Sequence, residues 1–198
     1  MKSTSLIVSL FLFTLVSLSF SEQALAAKKR GGKGAFAGGS LAIGFGVSLV
    51  TAEQSGLNSM ISTAKTGAPG GASTSNFSTG LEYTGQFTFT FSNGYTAIQL
   101  RPSYFTQSTS GSATDGSYSY NLTGFTFFPL VRLIPLANDV ISFYVQGGLG
   151  YGKLDGEVSN GPRKITFSGS NFGMQIGVGA DFYLFPDHGF GFEGSYRY

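Results

Sequence analysis

Phe77-Ser78-Thr79-Gly80-Leu81-Glu82-Tyr83-Thr84-Gly85-Gln86-Phe87-Thr88-Phe89-Thr90-Phe91 alternates along almost its whole length. Phe77, Leu81, Tyr83, Phe87, Phe89 and Phe91 hold odd positions, with Thr79 and Gly85 among them; the even positions are Ser, Gly, Glu, Gln or Thr. Side chains of a β-strand point to opposite faces with a period of two, so this run is a strand with one apolar and one polar face. Its length is the second clue. Strands of soluble domains run to about 5–6 residues, whereas a tilted strand needs about 9–11 to cross the hydrocarbon of a bilayer.

Working outward, the same design returns on both sides. Leu41, Ile43, Phe45, Val47 and Leu49 alternate with Ala42, Gly44, Gly46 and Ser48; Ile98, Leu100, Pro102 and Tyr104 alternate with Ala97, Gln99, Arg101 and Ser103. Further segments begin at Tyr118, Ile141, Phe172 and Phe190, which makes seven. Asn93-Gly94 reads as a two-residue type I′ turn, setting Phe89 opposite Ile98, Phe87 opposite Leu100 and Tyr83 opposite Tyr104. In the segment from Tyr118 the apolar parity changes between Leu122 and Val131, which reads as a β-bulge at Gly124. Connections alternate in size. Glu53 to Thr74, Gln107 to Ser117 and Asp155 to Arg163 read as long polar loops; Asn93-Gly94, Pro135 to Asp139 and Pro186 to Gly189 read as short turns. Outer-membrane barrels have long extracellular loops and short periplasmic turns. The pattern thus predicts an all-β, transmembrane, antiparallel up-and-down β-barrel of about eight strands over residues 36–198, its mature N-terminus periplasmic. Bacterial single-chain barrels have even strand numbers. An eighth strand has three sources here: the region of Leu57 to Thr63, chain beyond Tyr198, or none, with closure on seven.

The start of the chain has the layout of a secretory signal peptide over residues 1–26: Lys2, an apolar run from Leu6 to Phe20, and an Ala24-Leu25-Ala26 cleavage site. Removing it takes one basic and one acidic residue, Lys2 and Glu22, so the net charge stays at +2. Residues 27–35 then form a basic Gly-rich periplasmic tail holding Lys28, Lys29, Arg30 and Lys33, read as a solvated arm. The chain has no Cys, so neither a disulfide scaffold nor a lipoprotein anchor is available. Charged residues make up only 11% of it, against about 25% in ordinary soluble domains, which suits a sheet with a lipid-facing surface.

Signals for chemistry are weak. Gly189 to Gly194 satisfies G-x-G-x-x-G, but four residues follow it where a dinucleotide site needs a helix. Gly147 to Lys153 approaches a phosphate-binding loop but puts Leu154 where a metal-binding hydroxyl belongs. Small inward residues in a narrow barrel explain both. His188, the sole histidine, lies beside Asp187 in a predicted periplasmic turn with no nucleophile facing it, and reads as a turn residue. One His and no Cys leave zinc little to bind, and the pattern asks for no cofactor and no nucleic acid. The polar side chains that parity turns inward are Glu82, Gln86, Arg101, Gln146, Asp181, Glu193 and Arg197, with Arg132 a further candidate. About eight strands enclose just enough space for side chains to fill, so these groups are expected to pair in a packed ionic core.

Tyr144-Val145-Gln146-Gly147-Gly148-Leu149-Gly150-Tyr151-Gly152, Gly177-Val178-Gly179-Ala180-Asp181-Phe182-Tyr183 and the aromatic C-terminus resemble the small outer-membrane β-barrel family that includes OmpA- and OmpX-like proteins. The likeness covers about Phe36 to Tyr198. It implies residence in outer-membrane lipid, and it implies that Tyr196 and Tyr198 are the signal read by the outer-membrane assembly machinery. On this reading the chain is a monomeric, non-catalytic barrel with a structural or surface-interaction role, its loops meeting an unnamed extracellular partner. The alternative is a narrow, porin-like passive channel for small solutes.

Overall fold

The computed structural model describes residues 14–24 (backbone only), 39–51, 58–59, 61–62, 73–76, 79–113, 116–160, 162–185 and 188–198. Its strands are β1 (Thr14–Ala24), β2 (Ser40–Thr51), the two-residue β3 (Ser73–Thr74), β4 (Thr79–Thr90), β5 (Thr96–Ala113), β6 (Gly116–Ala137), β7 (Ile141–Asn160), β8 (Arg163–Phe185) and β9 (His188–Arg197). Each long strand pairs antiparallel with the next, β5 pairs β6, and β1 pairs both β2 and β9. Eight strands therefore close on themselves, and β3 only adds to the tip of β5. Closure gives each of the eight strands a partner on both sides, the condition for a sheet to sit in hydrocarbon.

The eighth strand comes from a place the alternation did not suggest. Asn58, Ser59, Ile61 and Ser62 take helical geometry, so the region of Leu57 to Thr63 supplies no strand. Thr14–Ala24 fills the gap instead, with Ser17 opposite Ser48 and Glu193, and Ser19 opposite Gly46 and Gly191. These residues lie inside the stretch that reads as an export signal, where Val16-Ser17-Leu18-Ser19-Phe20-Ser21 also alternates. The proposed tail at 27–35 falls outside the described residues.

The turn after β4 joins strands in the pairing that sets Phe89 opposite Ile98, Phe87 opposite Leu100 and Tyr83 opposite Tyr104. Its geometry is wider than type I′. Gly94 N–H donates to the Phe91 carbonyl and, within this turn, positive φ belongs to Gly94 alone, so Asn93 keeps an ordinary backbone and four residues bridge the strands. Asn93 works through its side chain: Oδ1 accepts from the Tyr95 and Thr96 N–H groups at 3.0 and 3.2 Å. Asn138 repeats the device after β6, accepting from Val140 and Ile141 at 2.9 and 2.8 Å.

Three sequence expectations need correction. Pairing of β5 with β6 runs unbroken through Gly124; the register shift lies between Leu133 and Leu136, facing β7. Parity changes near Gly124 because the inward face itself becomes apolar, with Tyr120 and Leu122 buried inside the barrel. Gly124 is a seat: the ring of Phe105 lies over it, where an added Cβ would come within 2.0 Å. The stretches read as loops at Gln107 to Ser117 and Asp155 to Arg163 are almost wholly strand, because a hairpin beyond the bilayer keeps its ladder while losing the apolar face that betrays it in sequence. Pro135 to Asp139 is likewise strand as far as Ala137.

The result is a lopsided wall. β5 to β8 have 18, 22, 20 and 23 residues, whereas β1, β2, β4 and β9 have 11, 12, 12 and 10. At about 3.3 Å per residue and a tilt of about 40°, the short strands span roughly the 25 Å apolar band of such barrels. The long ones rise well past it as a four-stranded sheet. Outward residues of the band are apolar and exposed, among them Phe45, Leu100, Val131, Val145 and Ile176. Tyr104, Phe125, Tyr151 and Phe172 edge it at the tall end; Tyr151 and Phe172 meet edge-to-face at 5.5 Å. Phe182, Phe190 and Phe192 cluster at the other.

Candidate functional site

Among the described residues, the buried charged side chains gather in the lumen. Alternation along each strand aims every second residue inward, and the register then decides which of them face one another. Glu82 on β4 and Arg101 on β5 are 0% exposed, with Gln86, Gln146, Glu193 and Arg197 also buried and Asp181 nearly so. All seven sequence-derived interior residues thus share one space, and Arg132 joins them. Tyr196 and Tyr198 are placed apart from this group. Tyr198 pairs its backbone with Met174 at 2.9 Å and leaves half its side chain exposed.

Among the described residues, three ion pairs cross the lumen. Arg197 grips Glu82 with both terminal nitrogens, and its Nε donates to Gln175 Oε1 at 3.0 Å. Glu82 also accepts from Ser48 (3.2 Å) and Ser103. Arg101 pairs with Glu193, whose other oxygen accepts from the Tyr144 hydroxyl at 3.2 Å. Arg132 donates to Asp181 at 3.1 Å and to Gln146 at 3.2 Å. Its guanidinium lies 3.6 Å from the centre of the Tyr144 ring, a cation–π contact. Gln99 links to Gln86 and Thr88 at 3.3 and 3.0 Å. Among the described residues, three cations thus meet three anions, which pairs the buried charge as it must be to persist.

Glycines of the inward face do not leave the lumen hollow. The Tyr144 ring occupies the space over Gly179, where a Cβ would stand 2.4 Å away, just as Phe105 covers Gly124. Small residues on one strand make room for a large one on the next.

Above the ionic layer the lumen changes character. Ile61, 1% exposed, packs with Phe105, Tyr120 and Leu122, and Tyr118, Leu154, Val158 and Phe167 surround them. Ile61 therefore caps this apolar layer of the lumen. Sequence reasoning missed this group. Its one legible trace was the parity change in β6, which is the apolar face turning inward.

Exposed His188 opens β9, far from the apolar cap, and no three His, Asp or Glu among the described residues are grouped to hold a metal. No curated protein matches the chain. The outer membrane protein beta-barrel domain family matches residues 12–198, β1 included. With a closed antiparallel barrel, an apolar belt and a polar, paired lumen, the chain belongs to that family of outer-membrane barrels, which are generally not enzymes.

Proposed function

We propose that this protein is a non-catalytic outer-membrane barrel, closed to ions, that serves as a wall element and presents a surface for interaction outside the cell. The observation that carries the closed reading is the set of three crossing pairs. They join β4 to β9, β5 to β9 and β6 to β8 across the same small lumen. Barrels of about eight strands have room for side chains and little else. The tall sheet of β5 to β8 supports the interaction role, since a barrel that only filled membrane would have no use for strands of 18 to 23 residues. Export is read from Lys2 and the apolar run that follows it, with Thr14–Ala24 kept in the ring as β1 and the Ala24-Leu25-Ala26 site left uncut, and assembly is read from Tyr196 and Tyr198. A monomer needs no partner to complete the ring.

A passive channel for small solutes is the competing reading. Liposomes carrying the purified protein should swell in isotonic arabinose or glycine no faster than empty ones. Swelling that rises with protein content and slows with solute size would establish the channel instead.

A further inference from the structure

Above the belt, the outward face of the tall sheet forms a polar lattice. The register carries Ser108, Asn121, Glu157 and Thr166 across β5 to β8 in one row, with Thr106, Thr123, Asp155 and Ser168 in the row below. Ser110, Ser119 and Ser159 begin the row above, and the last two hydroxyls bond each other at 2.6 Å. All of these side chains are exposed or half-buried. They turn outward by the same parity as Tyr104 and Phe125 at the edge of the belt, so one outer wall passes from hydrocarbon to water. Tyr118 and Phe167, of the opposite parity, pack on the apolar layer inside and leave backbone as the floor. Two clefts of about 540 and 620 Å³ result, the lower holding Asp155 and Glu157, the upper lined chiefly by serines.

Charge and side-chain type narrow what this face can hold. Protein partners are anchored chiefly by aromatic and arginine side chains, and the described rows above Tyr104 and Phe125 turn neither outward. Polyanions need unpaired cations, but Lys153 meets Asp155 at 3.0 Å and Lys164 meets Glu157 at 2.8 Å. Hydroxyls, an amide and internally balanced charges remain. Ser, Thr and Asn side chains both donate and accept, which matches a ligand built of hydroxyls, a saccharide. Neighbouring strands repeat every 4.8 Å or about that, close to the repeat of rings in a sugar chain, so an extended glycan meets a partner at each strand. Ladders on β5 to β8 hold these groups in place before a ligand arrives, which lowers the ordering cost of binding. Height and direction select the source. The lattice faces sideways along the membrane and rises from Phe125 to Ser117 by roughly 20 Å, at about 3.3 Å per residue and a tilt of about 40°. A phospholipid head layer is only about 5–8 Å deep, whereas a head of several sugars in the same leaflet reaches the whole face.

Resting on the reading that the tall sheet stands outside the cell, we propose that the outward face of β5 to β8 binds the uncharged oligosaccharide head of a glycolipid in its own leaflet. The acyl tails lie on the belt below, and the sugars hydrogen-bond to the rows that hold Asn121, Glu157 and Thr166. The test uses the full chain, refolded in phosphatidylglycerol nanodiscs doped with a diacylglycerol that carries an uncharged tetrasaccharide. A diazirine on its terminal sugar is the probe. Photolysis and peptide mapping should place label on residues 108–123 and 155–168, at least fivefold above a matching lipid whose head is one sugar. Replacing two exposed side chains together, Asn121→Ala with Thr166→Ala, should cut that labelling at least threefold in protein that keeps heat-modifiable mobility. Asp139→Ala, at the opposite end of the barrel, should leave it unchanged. Labelling that survives the double variant, or equal labelling from the one-sugar head, would overturn the proposal. Loss of labelling to micromolar free tetrasaccharide would make a soluble glycan the partner and overturn the lipid source. Ser110→Cys, in a chain with no other Cys, separates this proposal from the reading beneath it. A membrane-impermeant maleimide should modify that thiol on intact cells. Modification without sugar labelling would overturn the glycolipid alone; no modification would overturn the outside placement and the proposal with it.

Discussion

At mid-barrel the inward faces carry Glu82, Arg101, Arg132, Asp181, Glu193 and Arg197; a few residues higher, the same faces of β5 and β6 carry Phe105, Tyr120 and Leu122. The two fillings hold the molecule in different ways. Each ionic pair spans the lumen and ties together strands that are not neighbours, as Arg197 of β9 does with Glu82 of β4. The apolar layer packs Ile61 onto one side of the wall, where only the long strands continue. Breaking the lower layer should therefore loosen the whole ring, whereas breaking the upper one should free only the cap.

The largest effect is expected from halving a crossing pair. Glu193→Ala leaves Arg101 buried opposite nothing, and removal of one partner from a buried pair costs about 3–5 kcal/mol. Replacing both by Met should recover most of that loss, because the desolvated charge disappears along with its partner. Urea unfolding of protein in lipid vesicles measures both. A Glu193→Ala variant as stable as the parent would mean that the pair does not bear on the ring.

Next comes the outer face at the same height. Ile176→Arg puts a cation into the belt and should destabilise by about 2–4 kcal/mol in the same refolding assay, the figure for a midplane position. Tolerance of Arg there would move Ile176 out of the hydrocarbon and the ionic layer with it. The smallest change in global stability is expected from Ile61→Ala. Its burial is nearly complete, worth about 1.5–3 kcal/mol for such a side chain, but most of the loss should appear as local opening. Protease cleavage between residues 52 and 78 should accelerate several-fold with the urea midpoint almost unmoved. A large drop in midpoint would show that the cap braces the ring too.

The belt was legible in sequence because lipid enforces the alternation residue by residue. The run from Phe77 to Phe91 names one face apolar and the other polar, and parity then identified the inward groups at 82, 86, 101, 146, 181, 193 and 197. Who pairs with whom was not legible, since Glu82 meets Arg197 only through the curvature of the closed sheet. Ser48 and Ser103 looked like any small inward residue until Glu82 was placed between them. The tall hairpins were hidden for the opposite reason: outside lipid, Gln107 to Ser117 has no solvent that imposes a pattern. The seam was hidden by ambiguity, because an export signal and an alternating strand draw on the same residues between Thr14 and Ala24.

That seam can be checked directly. Closure through β1 predicts that protein isolated from outer membranes retains Thr14–Ala24, visible in its intact mass. A mature chain starting at Ala27 would contradict β1's place and leave β2 and β9, which run parallel, to meet or to take another strand.

Conductance bears most directly on the claim that paired side chains fill this barrel. Purified protein in planar lipid bilayers should show no reproducible unitary currents at moderate voltage, because Arg101 with Glu193, Arg197 with Glu82 and Arg132 with Asp181 leave ions no continuous path. Discrete openings, changed in size or ion selectivity by Arg101→Ala or Glu193→Ala, would contradict the filled lumen and make the protein a channel.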